Sequence, residues 1–455
     1  MSKKRLTRRD FLKAAAGAAA AVPLLEACAP AATPIPVPPT ATPVPAKPTV
    51  VTKKLAGITV KCAFIGGANY EEMYKAIPKF EEETGAKVEI VYKGDGFQID
   101  KKLKTDFAAG TVDYDVCWDH TSFFSQYVKA DALEPLEGYF TEAELADFIP
   151  RILNAARTKG HLWQIPRHFD VSCLHWRTDL MTEKDVPETW DQFKELAIKL
   201  TDPAKGIYGT QFAGKEEALT GRFYEVLLAE GGKLFDENWK PTFNAPPGVK
   251  AIQMFRDLYV AKAMPPGMTS FVWEDVAKNW VTGIIAMYTE WYGWYSYFQD
   301  PKASKVAGKF DLARQPVGDG KIHSGWAGAH AFSIPKAARN KEAGAALIKF
   351  LTNEEQAYNE GKLGFSPVRN STWERIIKDA EASPVPLDKK RLQLCQLQAQ
   401  EDFTTPPLIA EWLPMSDILY PILQSIILGD KKAKEGLDEA TTKVEKLMAD
   451  AGYYK

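Results

Sequence analysis

Apolar residues recur along this chain in two alternating rhythms. Ile58 to Ile65 is an apolar run that predicts a strand leading into Gly66-Gly67-Ala68-Asn69-Tyr70. Met73, Ala76, Ile77 and Phe80 then fall at helical spacing until Gly85, with Pro78 expected to kink that helix or to mark its first turn. Val88, Ile90 and Tyr92 alternate as a second strand, Ile99, Leu103 and Phe107 line a second helix, and Tyr114 to Trp118 reads as a third strand. Strand-helix-strand-helix-strand predicts a parallel sheet whose C-terminal edge carries both Gly66–Tyr70 and Trp118-Asp119-His120.

Further on, Leu145, Phe148, Ile149, Ile152, Leu153 and Ala156 predict one amphipathic helix. Leu162 to Pro166 and Val171 to Trp176 read as extended runs separated by Arg167-His168-Phe169-Asp170, where a first crossover to a second lobe is expected. Thr189-Trp190-Asp191-Gln192 has capping-box spacing and opens a helix with Phe193, Leu196, Ala197 and Leu200 inward. Two more helices follow, on Leu219 to Leu227 and Ala251 to Tyr259, then a buried strand over Ile284 to Tyr288 that delivers a dense aromatic run around Glu290 and Trp291. Trp326 to Ile334 is an apolar strand closed by Pro335. Asn340 is the expected N-cap of the next helix, with Ala343, Ala346, Leu347, Phe350 and Leu351 on one face. A strand and helix this late in the chain imply that it crosses between lobes more than once.

At 455 residues the chain exceeds what one core supports, so two lobes are expected; 45% hydrophobic and 25% charged residues are ordinary for a globular protein. The first 27 residues stand apart. Lys3, Lys4, Arg5, Arg8 and Arg9 precede an uncharged run from Ala14 to Leu25, too short to span a bilayer. Thr7-Arg8-Arg9-Asp10-Phe11-Leu12-Lys13 resembles the twin-arginine export motif, and Leu25-Glu26-Ala27-Cys28 resembles a lipobox that makes Cys28 the lipidated first residue, Glu26 departing from the small or apolar residue usual there. Eight prolines between Ala29 and Thr52 predict an extended spacer. Without the six basic and two acidic residues of 1–27, the chain carries 51 basic and 57 acidic residues, a net charge of −6 that gives no sign of a nucleic-acid partner. Cys62, Cys117, Cys173 and Cys395 show no zinc-like or disulfide spacing and are expected as buried thiols; the six histidines show no metal motif, so no metal is expected. No GxGxxG or phosphate-binding loop follows a strand, and no cofactor is expected.

The succession HLWQIPRHFDVSCLHWRTDLM, PETWDQFKELAIKL, GIIAMYTEWYGW, GWAGAHAFSIP, AGAALIKFLTNEEQ and GKLGFSPVRNS resembles family 1 extracellular solute-binding proteins of ABC importers. The resemblance runs from about Leu55 to Met448 and implies an α/β, two-lobed periplasmic-binding-protein-like fold of type II. It implies a ligand cleft between lobes joined by several crossovers, a permease partner and no catalysis. The implied parts are a signal peptide (1–27), a lipidated linker (28–54), lobe I (55–166 plus 326–362) and lobe II (167–325 plus 363–455). A sugar ring has an apolar face and a rim of hydroxyls, so its site needs flat aromatics beside carboxylates or amides. Trp118-Asp119, Glu290-Trp291, Trp326 with His330, and Glu411-Trp412 supply such pairs, at segments where the resemblance implies cleft residues. Asn69, His168 and Asp170 complete the candidate set, while Arg369 is expected in an internal ion pair. Trp291 and Trp326 are expected to approach one ligand from opposite lobes. The implied function is carbohydrate capture by a monomeric, membrane-anchored receptor. The alternatives are a sugar alcohol, glycerol phosphate or polyamine in the same fold, or a lipid-anchored glycoside hydrolase using Glu290 and Asp119.

Overall fold

The computed structural model describes residues 54–67 and 70–454; the leader, Cys28, the proline-rich segment and Asn69 lie outside the described residues. β1 (Thr59–Ile65), α1 (Glu71–Thr84), β2 (Lys87–Gly94), α2 (Gly96–Ala109) and β3 (Val116–His120) follow the predicted order. β1 pairs in parallel with both β2 and β3. Gly85 closes α1 at φ 77°, a left-handed conformation that glycine adopts without a Cβ clash, and Pro78 lies inside α1 rather than at its first turn.

The helix expected over Leu145–Ala156 is instead two short pieces, Glu142–Leu145 and Pro150–Asn154. Pro150 has no N–H to extend the first piece and is pre-set to start the second. β4 (Ile165–Arg177) follows, then α3 (Trp190–Leu200), α4 (Glu216–Ala229), α5 (Pro246–Val260) and α6 (Trp273–Val281). Thr189 does cap α3, its Oγ1 accepting from Gln192 N at 3.2 Å while Gln192 Oε1 accepts from Thr189 N. Next come β5 (Met287–Trp291), β6 (Phe310–Ala313), β7 (Gly325–Ser333), α7 (Lys341–Leu351) and α8 (Glu354–Lys362). The chain ends with α9 (Asn370–Ala380), α10 (Pro386–Glu401), α11 (Trp412–Leu428) and α12 (Ala433–Asp450).

Three local expectations are corrected. β4 is one 13-residue strand, not two runs broken at 167–170, because His168, Phe169 and Asp170 pair antiparallel with β7, with only a bulge at Arg167. β5 starts three residues later than the apolar run suggests, in register with Ser172–Trp176 of β4. Asn340 does not cap α7; its Nδ2 donates to Asp115 Oδ2 and to Thr59 O, whereas Asn353 caps α8 by accepting from Gln356 N at 2.9 Å. Arg369 does enter an internal ion pair, 3.3 Å from Asp147.

β4 organises the rest. Its first half pairs with β7, which pairs on to β3, and its second half pairs with β5 and β6. One buried cluster gathers Phe64, Phe80, Leu103, Ile165, Phe332 and Leu347, and reaches Tyr288 and Trp373. A second, built on α3, α4, α5, α11 and α12, gathers Phe193, Phe223, Phe255, Leu419 and Leu437. β4 gives Cys173 to the first and Leu174 to the second, as alternation along a strand dictates. The four cysteines from Cys62 onward are free and buried. Among the described residues, no helix is long and apolar enough to cross a membrane.

Candidate ligand cleft

Sheet register builds one side of the site. His120 of β3 and His168 of β4 both lie opposite His330 of β7. The three imidazoles form a row with ring centres 5.0 and 4.3 Å apart. Asp170 faces Gly328, where a Cβ would come within 2.7 Å of His120, so only glycine leaves room for the row. Tyr70 Oη lies 3.3 Å from His330 Nδ1, and His330 Nε2 is 3.5 Å from Asp170 Oδ2. Asp170 Oδ1 also accepts from Gly293 N at 3.3 Å. Beside them Arg167 Nε donates to Glu360 Oε1 at 2.8 Å, with the guanidinium 5.4 Å from the Tyr70 ring centre. Burial raises Glu360 to about 7.

His168, Asp170 and His330 each offer a metal-ligating atom within 4.8 Å of the others, a grouping that sequence spacing does not signal. The donor set argues for hydrogen bonding instead. Arg167 Nη1 lies 3.2 Å from His168 Nδ1 and can only donate, which puts the neutral ring's proton on Nε2, where a metal would need a lone pair. Burial and the neighbouring His330 hold His168 well below the usual histidine range.

The second side comes from α4, α6 and β5. Arg222 of α4 lies 5.3, 4.8 and 5.9 Å from the rings of Trp273, Trp291 and Trp326. Its Nη1 donates to Glu225 Oε2 at 3.0 Å, and its Nη2 is 3.7 Å from Glu290 Oε1. Arg222, Glu225 and Glu290 are all buried, and burial raises Glu290 to about 8. Trp291 and Trp326 do not face each other across an open cleft as expected: their rings are 5.4 Å apart, and Trp326 is only 4% exposed within the second core. β7 carries Trp326 into that core at its first turn of pairing, where Trp326 N donates to Glu225 Oε1. Trp291 and Trp273 keep partial exposure.

Other candidates are used by the fold. Trp118 is 2% exposed and packs against His120, Phe123 and Gly96. Asp119 is fully buried, accepting from Ser333 Oγ at 2.8 Å and from its neighbour His120 N, and burial lifts it to about 7. Asp119 is therefore held inside the sheet by Ser333 rather than beside the cleft with Trp118 as expected. Glu411 and Trp412 cross-link the molecule: Glu411 takes Lys129 and Tyr453 Oη, while Trp412 Nε1 donates to Glu217, which also accepts from Ser122 Oγ at 3.1 Å. Arg167, Arg222, Trp273 and Glu360 are the residues that sequence reasoning missed. Arg167 and Glu360 are 193 positions apart, and no local periodicity links them. Open depressions of about 530 Å³ beside Trp176 and His323, and about 350 Å³ beside Lys129 and Glu411, lie away from both arginines.

Residues 66–358 match the family described as bacterial extracellular solute-binding protein, and residues 5–23 match the TAT (twin-arginine translocation) pathway signal sequence. The chain is 26% identical over 349 residues to the mannitol-binding protein of Pseudomonas aeruginosa, covering 71% of this chain and 78% of that one. It is 22% identical over 389 residues to the galactooligosaccharide-binding protein of Bacillus subtilis, covering 80% and 84%. Among solved structures, maltose-bound MalE3 of T. maritima aligns with a TM-score of 0.76 at 26% identity, over 86% of this chain and 100% of that one. A ribitol complex of an ABC transporter solute-binding protein from Agrobacterium radiobacter aligns equally well, at 0.76 and 26%, over 86% and 99%. The fold is thus the two-lobed α/β fold of these receptors, and the twin-arginine leader marks the chain for export. With its family matched over more than half its length, this chain belongs to the bacterial extracellular solute-binding proteins.

Proposed function

We propose that the protein is the receptor of an ABC importer, that it captures a carbohydrate or sugar alcohol by closure of its two lobes, and that it delivers the ligand unchanged to a permease. The observation that carries this reading is the pair of partly exposed indoles, Trp273 and Trp291, beside the buried Arg222–Glu290 pair. Indole faces suit the C–H side of a sugar and the charged groups suit its hydroxyls. Mannitol and ribitol in the names of relatives favour a linear polyol as a second form of the same reading. Lobes of 55–166 plus 326–362 and 167–325 plus 363–455 would close about β4 and β7, which run between the two packed clusters. A thermal-shift screen against sugars, sugar alcohols, polyamines and glycerol phosphates tests it. A true ligand at about 100 times its Kd adds about 2.7 kcal/mol, and the carbohydrate should be recovered intact; a response only to a polyamine or a phosphate, or any turnover, defeats the reading.

Anchoring by lipid on Cys28 belongs to the same proposal, supported by the leader and the proline-rich spacer. Intact-mass spectrometry of membrane-fraction protein should show a lipid-modified residue 28. An unmodified cysteine at the mature N-terminus would remove the anchor but leave the receptor.

A further inference from the structure

Two carboxylates, Glu217 and Glu411, tie the segment after β3 to the start of α11, and both ties bridge the two packed clusters. Ser122 lies just after β3, and Lys129 ends the short helix Phe124–Lys129, whose Phe124, Tyr127 and Val128 belong to the first cluster. Opposite them, Glu411 precedes Trp412 of the second cluster, and Trp412 Nε1 donates to Glu217 Oε1 at 2.8 Å. Lys129 Nζ donates to Glu411 Oε1, and Tyr453 Oη donates to Glu411 Oε2 at 2.8 Å, so both oxygens of that carboxylate are taken. Ser122 Oγ donates to Glu217 at 3.1 Å. Tyr453 is itself held in place after α12, its N donating to Met448 O at 3.1 Å and its ring centre 5.2 Å from that of Trp239.

This seam is made to part. Among the described residues, no backbone hydrogen bond joins residues 121–131 to 405–413 or to 451–453, whereas β4 and β7 run between the clusters as paired backbone. The depression of about 350 Å³ beside the ion pair, lined by Thr158, Leu408, Ile409 and Tyr453 among others, keeps the two sides from packing into one core there. The side chain of Lys129 is 52% exposed and that of Glu411 only 5%, so the carboxylate is shielded by its partners while the lysine already reaches solvent. Separation returns both charges to water and leaves neither buried and unpaired, the condition that makes a broken interior pair costly.

We propose that Lys129, Glu411 and Tyr453, with Ser122 and Glu217 beside them, form a latch between the two lobes that biases the receptor toward its closed form before a ligand arrives. The latch rests on the reading of the protein as a receptor whose lobes close, and adds to it a device that is separate from the ligand. It holds the clusters together through charge-assisted hydrogen bonds, which are stronger than neutral ones yet release without uncovering apolar core. Because it touches no ligand, it acts only on the fraction of molecules in the binding-competent form, and apparent affinity scales with that fraction by the same factor for every ligand.

Small-angle X-ray scattering of the full-length protein without ligand tests the latch directly. Lys129→Met removes the ammonium, and Tyr453→Phe removes one hydroxyl while keeping the ring against Trp239; each should enlarge the radius of gyration of the ligand-free protein. Raising the ionic strength from about 0.1 M to about 1 M, which shortens the Debye length from about 10 to about 3 Å, should expand the parent in the same way and leave Lys129→Met unmoved. Lys446→Met, which removes an exposed ion pair within α12, should change nothing. In calorimetric titrations with D-mannitol, ribitol and maltose, each probe that binds the parent should lose about threefold in affinity in either latch variant, by a common factor. Folded variants with the parent's ligand-free scattering overturn the latch, and a lowered melting temperature alone then marks these as ordinary structural contacts. Unequal losses among the probes overturn it as well, since they would put the latch residues on the ligand. Expansion of the variants with no binding of any probe keeps the latch and removes the carbohydrate reading; a probe that compacts the parent and both variants alike, from the same starting size, removes the latch and keeps that reading.

Discussion

A tryptophan can serve a ligand only with a face that it does not share with the core. Trp326 has almost none to spare: a Cβ added at Gly221 of α4 would lie 2.0 Å from its ring, so the helix is bare there to admit the indole. Trp291 meets Trp326 and Trp273 edge-on and keeps part of its surface free. The two residues, a matched pair by sequence, should therefore respond differently to removal. Trp326→Ala opens a cavity in the second core and should cost about 3–5 kcal/mol of stability. Trp291→Ala should cost less stability and weaken the ligand found by screening by on the order of 2 kcal/mol, as an interface anchor does. Denaturant unfolding together with calorimetric titration separates them, and a Trp326→Ala protein as stable as its parent would show that this indole is no part of the core.

At the scale of elements, legibility followed the range of the interaction that decides each feature. The strand-helix series from Thr59 to His120 was legible because its periods of 2 and 3.6 are local, as was the capping of α3 by Thr189. Pro150 breaks a helix that the apolar spacing alone continues, and the missing N–H outweighs the pattern. β4 reads as interrupted because Arg167, His168 and Asp170 are polar, yet His168 and Asp170 are held extended by β7, whose residues lie about 160 positions later, and Arg167 sits at the bulge between two paired stretches. The same distance hides the site. His168 and His330 were named separately, and only antiparallel register makes them neighbours. Asn340 has the residue type of a cap but finds a better partner in Asp115, itself placed by the turn before β3. Glu411-Trp412 looked like a sugar-binding pair, an aromatic beside an acid, and that pairing serves a structural cross-link equally well.

The whole molecule carries an unusual load of buried titratable groups, and their opposite signs predict a stability optimum. Burial raises Asp119, Glu217 and Glu360 to about 7 and Glu290 to about 8. The folded chain thus holds protons that the unfolded chain releases above about pH 4. The stability these groups contribute is complete below that pH and is lost as the pH climbs through 7 and 8. His168 and His175 act the other way. Burial holds His168 well below its usual range and His175 at about 3, so the stability they contribute is complete above about pH 6.5 and is lost as the pH falls below it. Between pH 6.5 and 8.5 the carboxylates outweigh the imidazoles, which are half-protonated in the unfolded chain only at the start of the interval, each excess bound proton adding a slope of about 1.4 kcal/mol per pH unit. The free energy of unfolding without ligand should therefore fall across that interval by on the order of 2–4 kcal/mol. Glu217, which joins Ser122 to Trp412, provides the internal check. Glu217→Gln keeps an acceptor for both donors but has no proton to lose, and should take about 1 kcal/mol off the decline. Denaturant titrations of both proteins at pH 6.5 and 8.5 decide it: a flat profile for the parent would mean that these carboxylates are solvated in solution, and an equal decline in the variant would clear Glu217 of any share.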